Sequence, residues 1–206
     1  MVPGAGPAIL ATGFVFGLSL IIAVGPQNLF VIHQGLRRQH LGLVVGVCSS
    51  ADMALIAAGV GGLGLVIGQR HWLVEVARAG GAAFIFLIAI SAARRASRPL
   101  AGQPQDRPTA TSRAAVISAC LAFTLLNPAV YLDTVVLVGS VANADHGHQW
   151  WFGAGAAAAS VVWFAALGFG ARLLAPVFSR PQAWRWLDVF TAAVLVAVGL
   201  RLMVEL

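Results

Sequence analysis

The sequence predicts an all-α integral membrane protein with six transmembrane helices, arranged as two inverted three-helix repeats whose first and fourth helices are broken. Three observations lead to this fold class. Of the 206 residues, 59% are hydrophobic and 10% are charged, whereas soluble domains carry about 25% charged residues. Apolar runs long enough to cross a bilayer, roughly 20 residues, recur along the chain. Two of these runs contain a proline beside polar side chains.

The predicted spans are apolar on all sides, unlike the alternating ten-residue strands of a membrane barrel. In chain order they cover residues 8–33, 41–68, 72–93, 114–142, 150–175 and 185–204. The stretch between the third and fourth spans is polar and rich in proline, as loops are. We therefore expect one membrane domain over residues 1–206, which consists of repeat one (1–93), a loop (94–113) and repeat two (114–206).

Two short similarities support the division into repeats. Gly25-Pro26 in the first span and Asn127-Pro128 in the fourth fall at corresponding places. AAGVGG at 57–62 and ALGFGA at 166–171 share two glycines at the same spacing. Because each half has three spans, the second half must insert with the opposite orientation. Inverted repeats of this kind are typical of transporters.

The arginines predict the orientation, since the sequence contains no lysine. Ten arginines fall at or between span ends on one side, against three on the other, which are Arg70, Arg78 and Arg201. The positive-inside rule then places the 94–113 loop in the cytoplasm and both termini outside. We interpret these arginines as anchors to anionic lipid rather than as a nucleic-acid surface. Arg185 and Asp188 have the spacing of an ion pair near the start of the sixth span.

Several other classes of protein lack support in the sequence. The N-terminus MVPGAGPAIL has no basic n-region, so we expect no removable signal peptide. Cys48 and Cys120 lie in different spans and there is no CxxC pair, which argues against a disulfide or an electron carrier. No HExxH, GxSxG or Walker-type motif is present. We expect no enzyme activity, no metal, no other cofactor and no direct use of ATP.

The two interrupted spans contain the candidate functional segments, GPQNLFVIHQG at 25–35 and LNPAVYLD at 126–133. Breaks at membrane depth are tolerated where protein or a water-filled cavity satisfies the freed backbone groups. Half-helix ends at such breaks can coordinate a solute. Beside the breaks, side-chain donors and acceptors come from Gln27, Asn28, Asn127 and Tyr131. The alternative is a pair of kinks whose amides only cap backbone groups; two matched breaks favour a site.

Two carboxylates lie within the predicted spans. Asp52 is well inside the second span, and Asp133 follows Pro128 by five residues. A charge at the bilayer centre costs roughly 2.5–3.5 kcal/mol on insertion scales, and we expect no buried base to offset it. These acids are protonated, face water or await a cationic ligand. The alternative is a structural role, with hydrogen bonds to Ser49, Ser50 or Thr134.

These segments resemble the lysine exporter (LysE) family, and most closely its arginine/lysine exporter branch. The resemblance is carried by GPQNLFVIHQGLRR, SSAD and LLNPAVYLDTVVLVGS, and it extends to AWRWLDVF near the sixth span. It implies a six-span exporter of basic amino acids in the bacterial inner (cytoplasmic) membrane. Ala129 stands where a larger or polar residue is expected in close relatives. By this resemblance the transport site comprises Gly25, Pro26, Gln27, Asn28, Asp52, Asn127, Pro128, Tyr131 and Asp133.

We therefore predict a secondary transporter that exports L-arginine, L-lysine or both, coupled to the proton gradient by alternating access. Two buried acids favour a cationic substrate. Moving one positive charge outward against the membrane potential costs about 2.3 kcal/mol per 100 mV, and exchange with one proton would cancel it. Asp52 and Asp133 would bind proton and cation in competition. The alternatives are an exporter of neutral amino acids or related small solutes and a membrane scaffold; dimerisation through small-residue faces stays open.

Overall fold

A computed structural model describes residues 5–22, 25–63, 71–97, 112–127, 130–144, 147–179 and 181–204. These residues form helices and turns and contain no β-strand. The helices in the described parts of the chain are α1 (Ala5–Ile21), α2 (Pro26–Arg37), α3 (Leu41–Ala58), α4 (His71–Ala96), α5 (Arg113–Leu125), α6 (Tyr131–Ala144), α7 (Gln149–Leu174) and α8 (Pro181–Val204). A π-helical turn, Gly59–Leu63, continues α3, and α6 is π-helical over Tyr131–Leu137.

The prediction of an all-α, multi-pass membrane protein is confirmed. Within the described residues, four helices are long and apolar enough to cross a membrane: α3 with its π-helical turn, α4, α7 and α8. The bent pair α1 and α2 makes a fifth candidate. The predicted fourth span is divided into two shorter apolar helices, α5 and α6. The predicted loop is shorter than 94–113, because α4 continues to Ala96 and α5 begins at Arg113; residues 98–111 lie outside the described chain.

The first span is broken where the sequence predicts it. α1 ends at Ile21, α2 begins at Pro26, and the two helix axes are bent by 84°. Gly25 is extended at the N-cap of α2. Proline suits the first helical position because its fixed φ is already helical and its missing N–H would have no partner there. The break leaves the last carbonyls of α1 and the first amides of α2 without intrahelical partners.

Helix α7 lies at the centre of the bundle and packs against α1, α2, α3 and α6. Its chain direction is the same as that of α1 followed by α2, since Trp151 near its start contacts Gly6 of α1 and Gly168 further along contacts Gly35 of α2. It runs antiparallel to α3, since Gly168 contacts Leu41 and Gly153 contacts Val60. The start of α3 therefore lies at the same end of the bundle as the end of α7.

Helices α4 and α8 form an antiparallel pair. Arg95, in the last turn of α4, reaches Asp188 near the start of α8, and Phe86 packs against Gly199 near the end of α8. The start of α8 also contacts α2, through Trp184 and His33. We call the end of the bundle where α2, α4 and α7 end and α3 and α8 begin the arginine-rich end. The other is the opposite end.

Close packing of α1 on α7 depends on glycine. A Cβ on Gly155 would lie 2.0 Å from the Leu10 carbonyl oxygen, and a Cβ on Gly13 would lie 2.1 Å from the Phe152 carbonyl oxygen. Both contacts are with backbone, which cannot rotate away as a side chain can. The two helices therefore have to separate if either glycine gains a side chain.

We expect Gly155→Ala to destabilise the protein, because overpacking costs roughly 1–3 kcal/mol. The matched control is Gly170→Ala in the same helix, where an added Cβ meets nothing within 4 Å. Thermal unfolding of the detergent-purified variants, followed by size-exclusion chromatography after heating, measures the difference. Equal melting temperatures for the two variants would contradict the close approach of α1 and α7.

Candidate functional site

A cavity of about 520 Å³ lies between the two helix breaks. Binding pockets for small molecules typically occupy 300–1,000 Å³. The cavity brings together seven residues that the sequence predicts as a site, and they come from three helices and from the segments at the two breaks. These residues are Gly25, Pro26, Gln27, Asn28, Asp52, Asn127 and Asp133.

The other two predicted residues are placed differently. Tyr131 is not among the residues that line the cavity, although it lies in the first turn of α6, just after the second break. Pro128 lies outside the described residues. The second break is nevertheless visible around it, because α5 ends at Leu125 and α6 begins at Tyr131.

The cavity extends from the middle of the bundle towards the opposite end. Its lining includes Ala156, in the first third of α7, and Val198 and Arg201, in the last third of α8. Ser19, Leu137 and Arg201 line it and are exposed. The cavity therefore reaches the surface of the bundle on that side.

Asp52 provides a buried carboxylate on the cavity wall. It lies eleven residues after Leu41, the first residue of α3, hence about 17 Å along the helix and near the middle of a 30 Å hydrocarbon layer. Its residue surface is 4% exposed. Ser160 of α7 donates a hydrogen bond from Oγ to Asp52 Oδ2 at 3.1 Å. This contact ties α3 to α7 and holds one carboxylate oxygen in place.

The second oxygen of Asp52 has no hydrogen-bond partner among the described residues. The Gln27 side chain lies beside the carboxylate, but its Nε2 is outside hydrogen-bonding geometry and is likewise buried without a partner among those residues. Buried polar atoms are normally satisfied, and a buried unpaired group is costly. Asp52 Oδ1 and Gln27 Nε2 therefore form an acceptor and a donor that a polar ligand could use.

Asn28 bridges the first break. Its Nδ2 donates a hydrogen bond at 2.8 Å to the carbonyl oxygen of Ile21. Ile21 is the last residue of α1. Its Oδ1 accepts a hydrogen bond from Trp163 Nε1 of α7 at 3.3 Å. Asn28 therefore caps a freed backbone group, and it also lines the cavity.

Tyr131 does the same at the second break. Its hydroxyl donates a hydrogen bond to the Leu125 carbonyl oxygen at 2.8 Å, and Leu125 is the last residue of α5. Each break thus has a side chain from the following helix that satisfies the final carbonyl of the preceding one. The hydroxyls expected beside the carboxylates bond elsewhere: Thr134 donates to the Val130 carbonyl oxygen and Ser50 to the Gly46 carbonyl oxygen. Ser49 Oγ is buried without a hydrogen-bond partner in the described chain.

Arg201 has a place that the sequence does not predict. The spacing of charges suggests a lipid anchor at the end of the sixth span, and we expect no buried base to offset the two acids. Arg201 lines the same cavity as Asp52 and Asp133, although it is exposed in the last turn of α8. The expectation of no buried base is therefore not contradicted, but an anchoring role alone does not account for the place of Arg201 in the cavity lining. Span boundaries do not reveal this packing of the end of α8.

The arginine-rich end contains a second polar cluster, which we call the α2–α4–α8 cluster: His33, Arg37, Arg95, Trp184, Asp188 and Thr191. Gln34 lies at the same end of α2. Arg95 Nε donates to Asp188 Oδ1 at 3.1 Å. This contact corrects the predicted pairing of Asp188 with Arg185, which lies on its own helix. The Arg37 guanidinium lies 5.8 Å from the centre of the Trp184 ring, within cation–π range.

The interior of the arginine-rich end is buried, whereas Arg37 and Arg95 of the cluster are exposed. Gln34, Asp188 and Thr191 are all buried. His33 Nε2, Gln34 Oε1 and Thr191 Oγ1 are buried atoms without a hydrogen-bond partner in the described parts of the chain. The bundle therefore has a cavity on one side of its middle and, on the other, a polar cluster that is buried except at its arginines.

The described residues contain no group of three or more His, Cys, Asp or Glu side chains placed to hold a metal ion. Cys48 and Cys120 are free thiols buried in one apolar cluster with Val44 and Phe164. The chemistry that the cavity offers is therefore hydrogen bonding and ion pairing, through two carboxylates, a guanidinium and side-chain amides.

Sequence reasoning missed Ser160 and the role of Trp163. Ser160 is a lone hydroxyl in an alanine-rich stretch, and only its contact with Asp52 distinguishes it. Trp163 is noticeable because it is far from the span ends where membrane tryptophans usually lie. Its depth could have indicated a buried hydrogen-bond partner, since an indole N–H in an apolar setting needs an acceptor.

Comparison with known proteins gives a consistent result. A family model described as "LysE type translocator" matches residues 18–206. A Mycobacterium tuberculosis protein named "Putative amino-acid transporter" is 49% identical over 187 residues, which cover 91% of this chain and 92% of that protein. The arginine exporter protein ArgO of Pectobacterium atrosepticum is 37% identical, with 95% of this chain and 96% of that protein covered.

The lysine exporter LysE of Corynebacterium efficiens is 34% identical over 223 aligned positions, with 94% of this chain and 97% of that protein covered. No solved structure matches the chain. The resemblance carried by the GPQN, SSAD and LNPAVYLD segments is confirmed, since the family model spans all three. The chain belongs to the family of LysE type translocators.

Proposed function

We propose that this protein is a secondary transporter that exports basic amino acids, L-arginine, L-lysine or both, from the bacterial cytoplasm. The observation that carries the proposal is the cavity between the helix breaks, with Asp52 and Asp133 in its wall. An uncompensated carboxylate at this depth is costly, and a cationic ligand would offset that cost. Relatives named as lysine and arginine exporters, aligned over nearly the whole chain, support the same substrate class.

We further propose that the chain crosses the inner membrane six times, as two inverted repeats at 1–93 and 114–206. The two breaks support this, because each is bridged by a side chain that satisfies the last carbonyl before it, from Asn28 and from Tyr131. Under this arrangement α5 and α6 together form the fourth span. By the positive-inside rule, the arginine-rich end then faces the cytoplasm and its anionic lipid headgroups. The cavity, which extends towards the opposite end, opens to the outside of the cell.

The proposed cycle is alternating access. The cavity on one side of the bundle and the α2–α4–α8 cluster on the other are what an outward-open state requires. The unpartnered atoms of His33, Gln34 and Thr191 carry a desolvation cost in this state, and water would satisfy them when the arginine-rich end opens. The Arg95–Asp188 pair holds that end closed.

We expect Asp188→Asn to favour opening of the arginine-rich end. A partly exposed ion pair stabilises the state that contains it by roughly 0.2–1 kcal/mol. Loss of the pair should therefore raise the population of protein with the arginine-rich end open by up to about fivefold. The readout is maleimide labelling of Thr191→Cys, a buried position beside the pair, with and without Asp188→Asn. The chain without Thr191→Cys is the control, because it measures any labelling of the native thiols Cys48 and Cys120. An unchanged labelling rate would contradict the gate.

Exchange with protons is the proposed coupling. One proton moving inward for each monovalent cation moving outward cancels the net movement of charge. Asp52 and Asp133 would bind the proton and the substrate cation in competition. The Ser160 hydroxyl and the Gln27 amide lie beside Asp52, and Arg201 lines the same cavity as both aspartates.

The function can be tested in bacteria that lack their own exporters of basic amino acids. Feeding a dipeptide of arginine and lysine loads the cytoplasm, and export lowers the internal amino acids and raises the external ones. Expression of this chain should produce that change, and its size for each amino acid names the preferred substrate. Accumulation of both amino acids in well-expressing cells would contradict the cation assignment. Efflux of neutral amino acids alone would support the alternative substrate class.

A further inference from the structure

Acidic side chains outnumber basic ones in the described lining of the cavity. Among the described lining residues they are Asp52, Asp133 and Arg201. Asp52 is 4% exposed, and its Oδ1 has no hydrogen-bond partner in the described chain. Two carboxylates and one guanidinium give a net charge of −1 when all three are ionised. The sequence-based view of a site with acids alone does not account for the guanidinium.

We propose that Arg201 binds the α-carboxylate of the substrate, so that the cavity matches a basic amino acid charge for charge. L-Arginine and L-lysine each carry two cations, the α-ammonium and the side-chain group, and one carboxylate. The two aspartates then pair with the two cations, and Arg201 pairs with the carboxylate. This inference rests on the proposed function and identifies Arg201 as the specificity-determining residue of the same site.

The chemistry of arginine suits this role. Its guanidinium presents five N–H donors in a planar fork that matches a carboxylate in two parallel hydrogen bonds. Arg201 lies three residues after Val198, which also lines the cavity; residues at this spacing share a helix face. Arg201 already takes part in an interaction within the ligand-free protein, so the substrate carboxylate would replace that interaction rather than meet a vacant group.

The proposal predicts what the cavity rejects. A diamine that lacks the carboxylate leaves the guanidinium unmatched, and a neutral amino acid leaves one aspartate unmatched. Arg201 therefore selects amino acids over amines, and the second aspartate selects basic over neutral amino acids. An arginine that only anchors α8 to lipid headgroups would give no such discrimination.

The test compares L-arginine with agmatine, which is arginine with the α-carboxylate replaced by hydrogen. Binding is measured on the full chain purified in lipid nanodiscs, for the wild type, Arg201→Gln, Arg201→Lys and the control Arg185→Gln, an exposed arginine near the start of α8. We expect Arg201→Gln to weaken L-arginine binding by about tenfold or more and to leave agmatine binding within about twofold. Arg201→Lys should recover part of the loss, and Arg185→Gln should behave as the wild type.

Retained agmatine binding also shows that Arg201→Gln is folded. Equal weakening of both ligands in Arg201→Gln, or no weakening of either, would overturn the proposal. So would equal wild-type affinity for L-arginine and agmatine. A wild type that binds neither L-arginine nor L-lysine would contradict the proposed function itself. A wild type that binds L-arginine and agmatine equally well would contradict only the role of Arg201.

Discussion

Replacement of Asp52 with asparagine should nearly abolish export of arginine and lysine while the protein remains folded. The substitution keeps the shape of the side chain and an oxygen that can accept the Ser160 hydrogen bond. It removes the negative charge and the unpartnered Oδ1 acceptor. Hydrogen bonds to charged groups contribute roughly 1.5–3 kcal/mol, so substrate affinity should fall by about tenfold or more. Efflux from dipeptide-loaded cells, corrected for the amount of protein in the membrane, measures the effect.

The matched control for this substitution is Glu75→Gln, which makes the same chemical change at an exposed position of α4. It should leave export within about twofold of the wild type, as surface substitutions generally do. If Asp52 also carries the coupled proton, the residual activity of Asp52→Asn should no longer vary with external pH. Full activity with unaltered pH dependence in both Asp52→Asn and Asp133→Asn would contradict competition between proton and cation at these carboxylates.

Replacement of Asn28 with aspartate should disrupt the first break. The change removes the amide donor that satisfies the Ile21 carbonyl oxygen at 2.8 Å and places a carboxylate oxygen there instead. An unsatisfied buried acceptor costs roughly 1–3 kcal/mol and a charged group costs more. We therefore expect loss of most transport activity together with a lower melting temperature. Efflux and thermal unfolding are measured on the same preparations.

Trp163→Phe provides the control for Asn28→Asp. It removes the weaker contact, from the Trp163 indole to Asn28 Oδ1 at 3.3 Å, together with part of the packing of the ring, and leaves the bridge to Ile21 in place. Its effect should be the smaller of the two, near the roughly 1 kcal/mol of a neutral hydrogen bond. An Asn28→Asp variant with wild-type transport and stability would mean that the bridge across the break is dispensable.

The breaks were predictable because proline has local, context-independent consequences. Pro26 starts a helix, and the residues around it then need side-chain partners for freed backbone groups. Gln27 and Asn28 follow directly from that reasoning. Asp52 and Asp133 were predictable for a different reason: a carboxylate within an apolar run is costly wherever the run packs. These residues could be assigned to one site because their chemistry is unusual for their surroundings.

The contacts that the sequence did not predict depend on how the helices pack, often between segments that are distant in sequence. Asp188 has a plausible arginine on its own helix, but its partner is Arg95, 93 positions earlier. Arg201 resembles the other arginines at span ends, and only its place in the cavity lining distinguishes it. Tyr131 was expected beside the second break, but the sequence does not show that its hydroxyl satisfies the Leu125 carbonyl. Helix periodicity does not fix which face of a uniformly apolar helix meets a neighbour.

The most direct test of the account is exchange of basic amino acids across a membrane that contains only this protein. The purified chain is reconstituted into liposomes loaded with unlabelled L-arginine or L-lysine, and uptake of the same amino acid in labelled form is followed. Rapid exchange of basic amino acids, absent from protein-free liposomes and lost in Asp52→Asn, is the expected result. Exchange of neutral amino acids but not of arginine or lysine would contradict the account.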